Sequence, residues 1–111
     1  MDELNDIYAN FVVELRRGVT NLVVLNQCQK PAYGYQLVKE LAENNIPIEG
    51  NTVYPLLRRL EDQGLLRSDW DTSTDKPRKY YQITENGLTL LAQITAYWRE
   101  SVKNIESILE V

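Results

Sequence analysis

Apolar residues recur at helical spacing from the start of the chain. Leu4, Tyr8, Phe11, Leu15, Leu22 and Leu25 fall on one stripe at steps of three, four or seven, with Val12, Val19 and Val23 beside it. The stripe predicts a long helix from Asp2 to about Gln27. Gly18 interrupts it, as a bend or a close helix contact would, and Pro31 ends the segment because it cannot continue the backbone ladder. A shorter helix follows from about Tyr33 to Glu43, with Leu37, Val38 and Leu41 inward and Asn44-Asn45 as its stop. A third runs from about Asn51 to Gln63. Val53, Leu56, Leu57 and Leu60 face in, while Arg58, Arg59, Glu61 and Asp62 face out. Asn51 or Glu49 caps it, Gly64 stops it, and Pro55 is expected in its first turns, where a missing N–H costs least.

The period then changes. Leu65 to Trp70 and Lys79 to Thr84 read as two short strands joined by the turn-rich tract Asp71 to Pro77, a hairpin with a polar tip. Thr84 or Asn86 opens a last helix, expected to reach Val111. In it Leu88, Leu91, Thr95, Trp98, Val102, Ile105 and Leu109 form a seam at steps of three and four, polar only at Thr95. A helix over 85–111 extends ~40 Å at 1.5 Å per residue, too long to bury that seam on so small a core. These seven residues therefore read as a dimer interface, between two copies of the last helix or between it and the first helix of a second subunit.

Three helices followed by a hairpin is the layout of a winged helix-turn-helix. The second helix braces the third, the third offers its first turns to a major groove, and the hairpin reaches along the backbone. The fold class is mostly α with a small β-hairpin. Residues 1–84 read as the winged helix-turn-helix DNA-binding domain with its N-terminal helix, and 85–111 as the C-terminal dimerisation helix, in one compact unit.

Composition narrows the chemistry. The chain has 111 residues, 43% hydrophobic and 25% charged, which suits one ordinary globular domain. There is no histidine, so the usual base of serine and cysteine hydrolases is missing, and the single cysteine, Cys28, excludes an internal disulfide or a Cys/His zinc site. No GxxxxGK[ST] or GxGxxG loop occurs. An enzyme, a metal and a cofactor are not expected. The apolar runs are too short to span a bilayer and the acidic start does not suit a signal peptide, so the expected compartment is the cytoplasm. The formal charge of -4 is unevenly distributed: residues 1–15 carry -4, 85–111 carry -2, and 16–84 carry +2 from ten bases and eight acids. Phosphate attraction follows local clusters of bases, so this division permits DNA binding without requiring it.

The motifs Tyr33-Gly34-Tyr35-Gln36-Leu37, Asn51-Thr52-Val53-Tyr54-Pro55-Leu56-Leu57-Arg58-Arg59-Leu60-Glu61, Gly64-Leu65-Leu66 and Arg78-Lys79-Tyr80-Tyr81-Gln82-Ile83-Thr84, with Gly87, resemble the PadR family of bacterial transcription regulators, from about Gly18 to Leu91. The resemblance implies a dimeric winged-helix repressor that leaves operator DNA when a small molecule binds. The single C-terminal helix is similar to the smaller subgroup that includes multidrug-sensing repressors. Carried onto this chain, Asn51, Thr52 and Tyr54 face the groove, Arg58 reaches a phosphate or base edge, Tyr33, Tyr35 and Gln36 contact the backbone, and Lys76, Arg78 and Lys79 are the wing's phosphate contacts. By the same resemblance Trp98 stacks on planar apolar effectors at the dimer centre, with Phe11 and Leu15 as neighbours.

Plainer readings stand beside these. Tyr54 is either a groove residue or a packed aromatic. One of Tyr80 and Tyr81 is core and the other surface. Arg59 pairs with Glu61, Asp62 or solvent, and the wing bases also suit a solvated turn. Trp70 packs under the wing, and Trp98 alternatively only fills an interface. The rival function from another class is a protein-interaction module that uses the winged helix without DNA.

Overall fold

A computed structural model describes residues 2–110 of the chain. It comprises α1 (Asp2–Gln27), β1 (Ala32–Tyr33), α2 (Gly34–Glu43), α3 (Gly50–Asp62), β2 (Leu66–Asp71), β3 (Arg78–Ile83) and α4 (Glu85–Leu109). The four helices and the hairpin match the periodicity. The end expected at Val111 lies outside the described residues. β1 is an addition to the expected hairpin. It pairs antiparallel with β3 in the order β1-β3-β2, with Ala32 opposite Tyr81 and Tyr33 opposite Tyr80.

The core lies where α1's second half, α2, α3 and the sheet meet. Leu25, Leu37, Leu57 and Leu66 are fully enclosed there, together with Val24, Val53 and Cys28. Burial, and to a lesser extent the nearby Glu40 carboxylate, pushes the Cys28 thiol up to about 12, so it remains a small apolar filler. Turn chemistry sets the element ends. Asn45 (φ 63) follows α2 and Gly64 (φ 77) follows α3, both in the left-handed region that terminates helices. Thr84 caps α4 by accepting from the Gly87 N–H at 3.1 Å, and its own hydroxyl donates to the Gly64 carbonyl at 2.7 Å, tying helix to hairpin. Gly87 is a close-approach site, since a Cβ there would lie 2.2 Å from the Leu65 carbonyl oxygen.

Four local expectations need correction. Leu91 is buried in its own chain's core, because the first turns of α4 lie on the rest of the fold. It leaves the exposed seam, which retains Leu88, Trp98, Val102, Ile105 and Leu109 with Thr95 half-buried. Trp70 is 58% exposed: along that face of β2 burial falls from Leu66 through Ser68 to Trp70, so the wing does not cover it. Pro55 is the sixth residue of α3, past the first turn, and has no N–H to offer the Asn51 carbonyl. Gly18 marks no close contact within the chain, since a Cβ there would meet nothing within 4 Å.

The outline is elongated, 56 × 36 × 23 Å, with a radius of gyration of 16.4 Å. A compact chain of this length has about 13 Å. The excess comes from the ends of α1 and α4, where Leu4, Ile7, Tyr8, Phe11, Leu15, Ile105, Ile108 and Leu109 are all exposed.

Candidate nucleic-acid interface

The burial pattern of α3 fixes which way it faces. Val53, Leu56, Leu57 and Leu60 are buried, so at 3.6 residues per turn the opposite side presents Asn51, Pro55, Arg58 and Asp62. Two flanks border this face, Tyr54 and Glu61 on one side and Thr52 and Arg59 on the other. Asn51, Thr52 and Arg58 are all exposed, so hydrogen-bonding groups of the kind that read base edges lie along one helix surface.

Tyr54 is packed on one side and open on the other. Its ring lies against the start of α2, where a Cβ on Gly34 would fall 2.2 Å from Tyr54 Cε1, yet 42% of the residue is exposed. Gly34 therefore lets the two helices of the turn close together, and Tyr54 presents its remaining edge beside the outward face.

The start of α2 and the wing are joined by an aromatic cluster. Tyr33 stacks on Tyr35 with ring centroids 5.7 Å apart and meets Tyr80 edge-on at 6.3 Å. The Arg78 guanidinium sits 4.8 Å above the Tyr33 ring and donates to the Tyr35 hydroxyl at 3.0 Å. The Tyr33 hydroxyl donates to Asp71. Hydrogen bonds from Ser73 and then from Tyr33 hold the Asp71 carboxyl down at about 2, while the bond to Asp71 raises the Tyr33 phenol. The Gln36 side chain accepts from the Tyr33 backbone N–H at 3.2 Å, capping its own helix. Tyr33, Tyr35 and Gln36 thus all spend polar atoms inside the protein, although Tyr35 stays exposed at the surface.

The three wing bases do not stay together. Lys76 and Arg78 are exposed on the hairpin. Lys79 points to the other face of β3, with Tyr81 and Ile83. Its ammonium lies 3.8 Å from Glu61 and 5.4 Å from the Tyr81 ring centre, so it braces the hairpin against α3. Strand alternation causes the separation. Tyr81 is core and Tyr80 half-buried, as alternation predicts. Arg59 is exposed to solvent, as one of its readings had it, and donates to Asn21 Oδ1 of α1 at 2.7 Å rather than pairing with Glu61 or Asp62.

Two grooves border α1. One, of about 610 Å³, lies between α1 and α4 and is lined by Leu15, Gly18, Leu22, Ile94, Tyr97 and Trp98 among others. Leu15 and Trp98 both line it. Phe11, one turn earlier, is exposed and outside that lining, and Tyr97 is a wall the sequence reading overlooked. The other groove, about 850 Å³, runs between α1 and the entry to α3 and includes Arg16 and Arg17. Their only signal in the sequence is the Arg16-Arg17 pair of adjacent bases, matched by Arg58-Arg59. Asn21 and Arg59 line both grooves.

Comparison with known proteins agrees with this layout. Residues 22–93 match the transcriptional regulator PadR-like family. The chain is similar over 100% of its length to 99% of a PadR family transcriptional regulator from Eggerthella lenta, at 50% identity and a TM-score of 0.94. It is similar over 88% of its length to 98% of a PadR-like transcriptional regulator from Bacillus cereus, at 26% identity and a TM-score of 0.78. A transcriptional regulator of Mycobacterium tuberculosis is 30% identical over 81 residues, 72% of this chain and 76% of that one. No helix among the described residues is long and apolar enough to cross a membrane. With a match across most of its length and the winged helix-turn-helix in place, the chain belongs to the PadR-like family of transcriptional regulators.

Proposed function

We propose that the protein is a dimeric, ligand-responsive repressor that binds double-stranded operator DNA through α3 and the wing. The observation that carries this reading is the exposed face of α3, Asn51, Thr52 and Arg58, with Lys76 and Arg78 exposed on the neighbouring hairpin. Polar groups on a helix discriminate base edges in a major groove, and bases on a wing neutralise phosphate and fix the register. Residues 1–84 serve as the reading unit and 85–111 as the dimerising helix, joined by the projecting half of α1. The exposed apolar residues Leu4, Ile7, Tyr8, Phe11, Val102, Ile105 and Leu109 form a surface of the kind that a second copy covers.

The groove between α1 and α4 suits a planar apolar effector, with Trp98 and Tyr97 as stacking surfaces. Asn21 and Arg59 connect it to DNA binding. They line both grooves, and their 2.7 Å hydrogen bond links α1 to the reading helix. An effector that spreads α1 from α4 shifts Arg59 and with it the presentation of α3. Release follows to the extent that the effector binds the DNA-incompetent arrangement more tightly.

A mobility-shift titration with duplex from upstream of the protein's own gene tests the reading. A shift that weakens steeply with salt is expected, and loss of the shift in the Lys76→Glu/Arg78→Glu variant. Absence of any salt-sensitive shift contradicts it. If the charge-reversed wing keeps a protein partner while no DNA binds, the interaction-module reading replaces it. For the effector, planar cationic dyes should quench tryptophan emission in the parent and much less in Trp98→Ala. Equal quenching removes Trp98 from the account.

A further inference from the structure

On one flank of the α3 reading face stand Tyr54, the start of α2 and the wing. On the other, Thr52 and Arg59 look across the open groove of about 850 Å³ toward α1. Its lining carries three guanidinium groups, Arg16, Arg17 and Arg59, against one carboxylate, Glu49, and it runs on to Asn51 and Thr52 of the reading face itself. Arg16 is fixed in place, since its Nη1 donates to the Pro47 carbonyl at 2.9 Å in the segment that leads into α3. A guanidinium has five N–H donors, so this bond leaves others for a ligand. Arg17 pairs with Glu14 at 3.3 Å, but both side chains are about two-thirds exposed. Exposed pairs of this kind are weak and yield readily to a phosphate, which a guanidinium grips with two parallel bonds.

We propose that Arg16 and Arg17 form a second backbone clamp, which holds the phosphate strand across the major groove from the strand held by the wing. This inference rests on the DNA reading above. A major groove about 12 Å wide has a phosphate strand on each side of the helix that enters it. Lys76 and Arg78 supply cations to one strand only. The α1 groove supplies them to the other, and its continuity with Asn51 and Thr52 makes DNA backbone, rather than a free anion, the occupant.

The test is fluorescence anisotropy with a labelled mixed-sequence duplex between 50 and 200 mM salt. Each lost phosphate contact reduces the slope of log affinity against log salt by about 0.9, so Arg16→Ala/Arg17→Ala should reduce it by roughly 1.8 per bound subunit. Lys76→Ala/Arg78→Ala should act similarly, and the two losses should add because the flanks are separate. Arg16→Lys/Arg17→Lys should retain most of the slope. An unchanged slope and affinity in the Arg16/Arg17 alanine variant, beside weakened binding in the wing variant, overturns the clamp and leaves the DNA reading intact. If the parent shows no salt-sensitive binding, the DNA reading fails and the clamp with it. Should loss of the Pro47 bond unfold the double variant, Arg17→Glu alone replaces it, and an unchanged slope there is equally fatal. Inorganic phosphate that binds the parent, but not Arg16→Ala/Arg17→Ala, without displacing DNA identifies a small-anion pocket and also overturns the clamp.

Discussion

The base of the molecule and its projecting helical ends use similar residues to opposite effect. Around Leu25, Leu37, Leu57 and Leu66 each leucine is enclosed by its own chain, and the fold is complete. At the ends of α1 and α4, Leu4, Tyr8, Ile108 and Leu109 are each more than two-thirds exposed on regular helices. Helical periodicity therefore reports that a face is meant to be covered, not what covers it. At the base the cover is the sheet and two helices. At the ends no other described part of the chain covers them.

Perturbing each region in turn sharpens that contrast. Leu57→Ala should cost about 3 kcal/mol in urea unfolding, because it opens a cavity in a region that cannot collapse, and should leave the oligomeric state alone. Ile105→Asp should do the reverse: sedimentation should shift to the monomer while helicity by circular dichroism is retained. A variant that unfolds instead would mean the end of α4 is part of the core. Gly64→Ala forces a Cβ onto a residue at φ 77 and should cost about 1 kcal/mol, read from the same urea curves. The smallest effect concerns pH at the wing. The Asp71 carboxyl is held at about 2, below its unfolded value, so its contribution is complete above roughly pH 4 and lost as pH falls toward 2. Asp71→Asn should therefore differ from the parent at pH 7 and converge with it at the acid end. A gap undiminished at pH 2 would point to something other than ionisation.

Much of the fold is legible in the sequence because helix and strand periods are local properties. Asn45 and Gly64 announce two helix ends, and Thr84 a beginning. β1 is only Ala32–Tyr33, too short to carry a period, and it exists because β3 offers it an edge. Leu91 continues the heptad of α4 without a break, yet only tertiary packing assigns it to the core while Trp98, two turns on, stays outside. Among the candidate contacts, alternation along β3 already separates Lys79 from Arg78, whereas the Arg59–Asn21 bond joins residues 38 positions apart and has no local signature. The arginines of α1 lie on a stretch that reads simply as the polar side of a helix, until folding brings it beside α3.

The account's central claim is that two copies join through their projecting ends and set two α3 helices against one DNA duplex. Hydroxyl-radical footprinting of the upstream region tests this most directly. Two protected patches should appear with centres about one helical turn, 10–10.5 base pairs, apart or a multiple of it, and both should vanish together in Ile105→Asp. A single patch, or two that survive that substitution unchanged, would contradict it.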